Sequence, residues 1–223
     1  SYPEIKILKS IESDLNQGAK EVWLTSQDCA SYGLDRGKQE IPSLLKKILE
    51  LKHNFKLRLG MMDPNFIEPI TEQMIEIYKH KKMYKFLHIP IQSASNTILK
   101  DMNRPYKIEQ VVDIINRFKK EVPEITISTD IIVGFPTETE EDHKQNINFI
   151  SKFRPDVFNL SKFSSHKKTS AGKLPVLDKV GTLVNVIVAL IKLVNRTIVS
   201  TLKITKDKFL FFIRIFLDDF RRR

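Results

Sequence analysis

Thr126-Ile127-Ser128-Thr129-Asp130-Ile131-Ile132-Val133, running on into Gly134-Phe135-Pro136-Thr137, is the stretch on which the fold turns. Its first eight residues are nearly all β-branched, the composition of a strand covered on both faces, as in a parallel sheet. Gly134-Phe135-Pro136 breaks the run. Thr137-Glu138-Thr139-Glu140-Glu141-Asp142 then supplies a capping threonine and first-turn acids for a helix to Phe153.

The same strand-then-helix order repeats on both sides of this stretch. Upstream, Glu21 to Leu24, Lys56 to Gly60 and Lys85 to Ile89 read as strands, and Ile41 to Leu51, Ile67 to His80 and Ile108 to Glu121 as amphipathic helices. Downstream, Asp156 to Leu160 is a fifth strand. A helix from about Glu4 to Gln17, with Ile5, Leu8, Ile11 and Leu15 on one face and Gly18 as its stop, leads the series without a strand before it. Repetition with short links is the pattern of a parallel α/β sheet or barrel.

Charge and cysteine content divide the chain further. Of 37 Lys and Arg and 27 Asp and Glu in 223 residues, 14 bases but only four acids (Asp178, Asp207, Asp218 and Asp219) lie in residues 162–223. The whole net charge of +10 is therefore carried by that tail, and residues 1–161 are neutral. A basic tail suits a polyanion or simply solvates. Val180 to Val199 reads as a docking helix, because its apolar run is interrupted by Lys192 well short of the roughly 20 residues that cross a membrane. No stable membrane insertion is expected. Phe209 to Phe216 has no clean period. The one cysteine, Cys29, excludes an intrachain disulfide and a multi-cysteine metal site made by this chain alone, and points to a reducing, cytoplasmic compartment. Ser1 in place of Met, with no apolar signal segment after it, suggests a piece of something longer.

In parallel α/β folds chemistry is placed beyond the carboxyl ends of the strands. Here those ends carry Ser26, Gln27 and Asp28; Gly60, Met61, Met62 and Asp63; His88, Gln92, Ser93 and Ser95; Asp130 with Gly134-Phe135-Pro136; and Asn159 with Ser161. Taken singly each has a plainer reading: Asp28 and Asp63 as caps, Gly134 to Thr137 as a turn, Met61-Met62 as core filling, His88 as a satisfied buried histidine. Together they line a mouth with hydroxyls, amides and one buried-strand carboxylate, which suits a large polar cofactor carrying ribose and adenine. Gln92 and Asp130 are the candidates for ribose hydroxyls or base edges, and Gly134 permits close backbone approach. No HExxH, GxSxG, Walker or GxGxxG pattern is present.

Leu24-Thr25-Ser26-Gln27-Asp28 with Tyr32-Gly33-Leu34-Asp35, Arg58-Leu59-Gly60-Met61-Met62-Asp63-Pro64, Leu87-His88-Ile89-Pro90-Ile91-Gln92-Ser93-Ala94-Ser95 with Met102-Asn103-Arg104, and Asp130 through Thr139 resemble four motifs of the radical S-adenosylmethionine (SAM) methylthiotransferases. The branch acting on threonylcarbamoyladenosine in archaeal and eukaryotic tRNA is the most similar. The resemblance runs from about residue 1 to 163. It implies a partial (β/α)6 TIM-like barrel over residues 1–175, missing its first strand, followed by a divergent, basic and apolar segment over 176–223. It further implies a [4Fe-4S] cluster that reduces SAM to a 5′-deoxyadenosyl radical, hydrogen abstraction from C2 of the adenosine at tRNA position 37, and methylthiolation there. The tRNA anticodon loop, an electron donor and a sulfur source are the implied partners. SAM contacts carried over residue by residue fall on Ser26, Gln27, Gln92, Ser93, Asp130 and the Gly134-Phe135-Pro136 turn, with Asp28, Met61, Ser95 and Glu138 as further candidates.

The chain departs from the family in three places. The CxxxCxxC motif expected just upstream of Ser1 is absent, so the isolated chain is expected to be inactive. Cys29 stands where the family usually has threonine. Lys162 to Ala171 lacks the family's Arg-Pro-Gly, and nothing beyond Pro175 matches its RNA-binding domain. A non-catalytic barrel that holds RNA through the basic tail is the alternative reading; a phosphate- or flavin-using barrel is disfavoured by the missing glycine-rich loop.

Overall fold

A computed structural model describes residues 1–164 of the chain. Five strands alternate with helices. Strand β1 (Glu21–Leu24) pairs in parallel with β2 (Lys56–Leu59), and β3 (Phe86–His88), β4 (Thr126–Val133) and β5 (Val157–Lys162) form a second parallel group in that order. Leu57 joins the two groups: its N–H donates to the Lys82 carbonyl and its carbonyl accepts from Tyr84 N–H, both at 2.8 Å. Further along, Met62 N–H donates to the His88 carbonyl at 2.9 Å. Spatial order therefore follows chain order from β1 to β5, the arrangement of a (β/α) barrel wall, whereas a doubly wound sheet reverses at a switch point.

The helices are α1 (Glu4–Asn16), α2 (Ile41–Glu50), α3 (Pro64–Ile67), α4 (Thr71–Lys79), α5 (Asn96–Asp101), α6 (Ile108–Glu121) and α7 (Glu140–Phe153). The helix expected over 67–80 is broken into α3, a 3-10 turn at Glu68–Ile70 and α4, because Pro69 has no amide hydrogen to continue the ladder. In α1 only Ile11 and Leu15 are buried; Ile5, expected on the same face, is exposed. Helix α7 is capped by Thr139, whose hydroxyl accepts from Asp142 N–H at 3.3 Å, and not by Thr137, which bonds Asp101 instead. Lys82 reaches the Leu49 and Leu51 carbonyls at the end of α2, and Lys85 the Tyr78 and His80 carbonyls at the end of α4. Two residues of the Lys-rich stretch 79–85 thus satisfy helix C-termini.

Strand alternation sorts the side chains into two faces. Leu57, Leu59, Leu87, Ile127, Thr129, Ile131 and Val133 are buried, and with Leu44, Ile48, Met74, Tyr78, Ile115 and Phe118 of the helices they make the core. The opposite face carries Trp23, Arg58, Phe86, His88, Asp130 and Asn159. The Arg58 guanidinium lies between two rings there, 4.7 Å from the Trp23 centroid and 4.4 Å from that of Phe86. This second face is the inner face of the wall. Its polar and aromatic residues are what the helices do not cover.

No helix among the described residues is long and apolar enough to cross a membrane. The expected helix over 180–199, the irregular segment 209–216 and the division at residue 175 lie outside the described residues.

Candidate cofactor site

Asp130 is central to the site. It faces Asn159 across the β4–β5 ladder, where Asn159 Nδ2 donates to Asp130 Oδ1 at 2.6 Å. Its other oxygen, Oδ2, lies 2.7 Å from His88 Nε2 on β3. Burial by itself would raise the Asp130 carboxyl, but the hydrogen bonds from His88 and Asn159 outweigh it and hold the group below the usual carboxylate range. An ionised Asp130 requires His88 Nε2 to be the donor. Each carboxylate oxygen retains one lone pair for a ligand.

Gln92 is tied to the same residue through the backbone. Its N–H donates to the Asp130 carbonyl at 2.9 Å, and its own carbonyl accepts from Ile132 N–H at 2.8 Å. It is one of three non-glycine residues with positive φ among the described residues, at 64°. Such a conformation is sparsely populated and concentrates at functional sites.

Ser93, Ser95 and Glu138 belong to a buried network that joins the end of β3 to α7. Asn146 Oδ1 accepts from Ala94 N–H at 2.6 Å and from the Ser93 hydroxyl at 3.4 Å, and Asn146 Nδ2 donates to Glu138 Oε1 at 3.1 Å. The other Glu138 oxygen accepts from Gly134 N–H, closing the Gly134-Phe135-Pro136 turn. Ser95 caps α5 by accepting from Ile98 N–H at 3.4 Å and donates to Asp142 Oδ1 at 2.5 Å. Burial pushes the Glu138 carboxyl up; in Asp142 the hydrogen bonds from Ser95 and Thr139 overcome burial and lower it. Gly134 has φ 76°, and Phe135 packs edge-on against Phe163 with centroids 5.2 Å apart.

At the β1 and β2 ends, Ser26 and Gln27 are exposed and Met61 is half-buried, whereas Met62 is fully buried. Asp28 ties the two loops together: Oδ1 accepts from Ala30 N–H and Asp63 N–H, both at 3.0 Å, while Oδ2 is buried without a partner among the described residues. Burial pushes this carboxyl up. Asp63 caps α3 and accepts from Arg104 Nη1 at 3.2 Å. Gly60 is closely approached: a Cβ there would lie 3.1 Å from Cys29 Sγ and 3.3 Å from Thr25 Cα, so a larger residue would press on both.

The structure thus brings Gln92, Asp130 and the Gly134 turn to neighbouring strand ends, and Ser26, Gln27, Asp28 and Met61 to another pair. It assigns Ser93, Ser95 and Glu138 side chains to internal hydrogen bonds. A SAM molecule fits this donor set, because acceptors with spare lone pairs and exposed uncharged amide and hydroxyl groups match ribose hydroxyls and the adenine edge. A [4Fe-4S] cluster does not fit the chain's own residues. Its one thiol, Cys29, is buried, is raised by that burial and contacts Ser26 Oγ and the Leu24 carbonyl at 3.6 Å. No group of three or more His, Cys, Asp or Glu that could hold a metal occurs among the described residues. A cleft of roughly 690 Å³ between α1 and β1, lined by Tyr2, Ile7, Ile11, Val22 and Trp23, lies along a strand edge and not at the mouth.

His88, weighed at the β3 end as a satisfied buried histidine, is half-buried and bonded to Asp130, whereas sequence reasoning missed Asn146. Asn146 left a signal: Asp142, His143, Asn146 and Ile150 recur at helical spacing on the buried face of α7, where polar residues demand partners.

Residues 1–150 match the profile of the Radical SAM superfamily. Among curated proteins, the chain is 42% identical over 174 residues to a "Probable threonylcarbamoyladenosine tRNA methylthiotransferase" of Archaeoglobus fulgidus, covering 78% of this chain and 41% of that protein. It is 38% identical over 176 residues to the threonylcarbamoyladenosine tRNA methylthiotransferase of Homo sapiens, covering 78% and 30%. The chain thus spans less than half the length of the curated relatives it matches. Among solved structures, a radical SAM methyltransferase from Kitasatospora setae superposes with a TM-score of 0.61 at 15% identity, over 77% of this chain and 33% of that one. Coproporphyrinogen III oxidase of Escherichia coli gives 0.57 at 13% identity, over 86% and 46%. Identities that low speak to fold alone, and the fold agrees with the parallel, sequentially ordered wall. With two thirds of its length under the family profile, the chain belongs to the radical SAM superfamily.

Proposed function

We propose that this chain is the SAM-binding barrel of a tRNA methylthiotransferase that acts at C2 of N6-threonylcarbamoyladenosine, at position 37 beside the anticodon. The observation that carries the reading is that the superfamily match over residues 1–150 takes in Ser26, Gln27, Gln92, Asp130 and Gly134, the polar strand ends described above. The names of the archaeal and human relatives supply the nucleoside.

An aromatic C–H offers no acidic proton to a side-chain base, so bound SAM supplies the hydrogen-abstracting adenosyl group. The residues here orient it. Asp130, held ionised by His88 and Asn159, and Gln92 take the nucleoside hydroxyls and base edge and transfer no proton. Ser26, Gln27 and Met61 line the other side. Asp28 fixes the β1 and β2 loops against each other, while Ser93, Ser95 and Glu138 hold the turn at Gly134-Phe135-Pro136. The substrate base is received from a single-stranded loop. A sulfur source and an electron donor are further partners, and the cluster ligands lie outside these residues.

Titrating SAM and tRNA separately into the parent and Asp130→Ala chains tests the reading. SAM affinity should fall by about tenfold or more while tRNA affinity changes little, as loss of a charge-assisted hydrogen bond predicts. Equal losses would show general misfolding.

The concentration of all ten excess charges in residues 162–223 favours a second reading, an RNA-holding barrel without catalysis. Its tRNA binding should weaken steeply with salt and vanish on deletion of 162–223. Unchanged tRNA affinity after that deletion removes it.

A further inference from the structure

The β3–β4 ladder changes register at the site. His88 pairs with Ser128, but Gln92 pairs with Ile131 where an unbroken ladder would bring Ile132. One extra residue is therefore inserted between His88 and Gln92. Bulges of this kind re-aim side chains beside active sites. Pro90 lies within the insertion and has no amide hydrogen to pair. The chain closes the bulge with Ser93 N–H donating to the Ile91 carbonyl at 2.8 Å around Gln92 at φ 64°, a γ-turn of the rarer, strained hand.

Thr129 fills the gap in the ladder. It is fully buried on the core face of β4, in a run where valine would serve as well for packing. Its hydroxyl donates to the Ile89 carbonyl at 2.8 Å and accepts from Ile91 N–H at 3.3 Å. These two bonds flank Pro90 and occupy the Ile89 carbonyl and the Ile91 N–H, the backbone groups on either side of it. Tyr106 Oη adds longer contacts to the Pro90 and Ile91 carbonyls at 3.5 and 3.4 Å.

We propose that Thr129 is a positioning residue: its hydroxyl pins the Pro90 bulge, the pinned bulge forces Gln92 into the left-handed conformation, and through Gln92 it sets the affinity for the adenosyl cofactor. The last link rests on the reading of Gln92 as a SAM contact given under Proposed function.

The test uses the full chain as Thr129→Val, Thr129→Ser, Gln92→Ala and the Thr129→Val/Gln92→Ala double variant. Amide hydrogen exchange at Gln92 and Ser93 and SAM affinity by calorimetry are read in each. Thr129→Val should speed exchange at Gln92 and Ser93 by about tenfold or more over its effect at Leu87 and Ile131, and Thr129→Ser should restore it. Thr129→Val and Gln92→Ala should each weaken SAM binding by about five- to thirtyfold, and the double variant should bind no more weakly than Gln92→Ala. A uniform rise in exchange, or additive losses in the double variant, overturns the proposal. If Gln92→Ala weakens SAM and Thr129→Val does not, the coupling alone fails. If the parent chain does not bind SAM, the proposed function fails and the cofactor link with it, while exchange still decides whether Thr129 holds the bulge.

Discussion

His88 Nε2 lies 2.7 Å from Asp130 Oδ2, so a strand-end histidine and a carboxylate 42 residues further on form one hydrogen-bonded unit on the inner face of the sheet. With Asn159 on the other oxygen, Asp130 is held below the usual carboxylate range in a half-buried position where burial alone would raise it. Asp28, at the β1 end, is the opposite case, a half-buried carboxylate raised by burial with one oxygen unpartnered.

These two carboxylates should give stability–pH profiles of opposite slope. The lowered pKa of Asp130 means that its contribution is present above the unfolded value of about 3.9 and is lost as pH falls through the folded value. Asp130→Asn should therefore be less stable than the parent at pH 7, with the gap closing below pH 4. The raised pKa of Asp28 means that its contribution is present below about 3.9 and is lost as pH rises through the folded value. Asp28→Asn should gain on the parent as pH rises from 4. Urea unfolding at a series of pH values checks both, and parallel slopes for the two variants would contradict the assignment.

Asn146→Ala should cost about 2–4 kcal/mol in urea unfolding, because it leaves the buried Ala94 N–H and one Glu138 oxygen without partners. Asn146→Asp should be worse at pH 7, since it places a second carboxylate against Glu138. A loss under about 0.5 kcal/mol for Asn146→Ala, the size of an ordinary surface change, would mean the network is not formed in solution.

Ser95→Ala removes the α5 cap and the bond to Asp142 together. A loss of about 1–2 kcal/mol is expected. Ser95→Thr, which keeps the hydroxyl, should recover most of it; failure to recover would point to packing and not to the cap.

Gly60→Ala should cost about 1–3 kcal/mol by overpacking against Cys29 and the Thr25 backbone. Adding Cys29→Ala should return part of that loss, since the sulfur is the nearest atom. Strict additivity of the two changes would show that the sites do not touch.

Anaerobic treatment of this chain with iron and sulfide should yield no cubane cluster absorbance, and Cys29→Ala should leave that result unchanged, because one buried thiol cannot supply the thiolates of such a cluster. A stoichiometric cluster held by this chain would refute the assignment of the ligands elsewhere.

Much of this was legible in the residues themselves. The eight positions of β4, mostly β-branched, and the strand at Glu21–Leu24 emerge with the bounds the periodicity predicts, since alternation and β-branching act locally. Helix α5 escaped notice because six residues carry too little period to register, and Ser95, read as a ligand candidate, proved to be its cap. The helix over 67–80 was overdrawn because the apolar spacing continues through Pro69 although the hydrogen-bond ladder does not.

By itself the sequence determined the strand–helix alternation, the neutral barrel with its basic tail, and the strand ends at which polar residues would gather. Those features follow from side-chain pattern and composition, which need no partner distant in the chain. Only the tertiary structure decided that His88, Asp130 and Asn159 act as one unit, that Ser93 and Glu138 face Asn146, and that Gln92 rather than a glycine occupies a left-handed turn. Cross-strand register, one inserted residue and the hydroxyl of Thr129 decide those matters, and each depends on which backbone groups meet across the sheet.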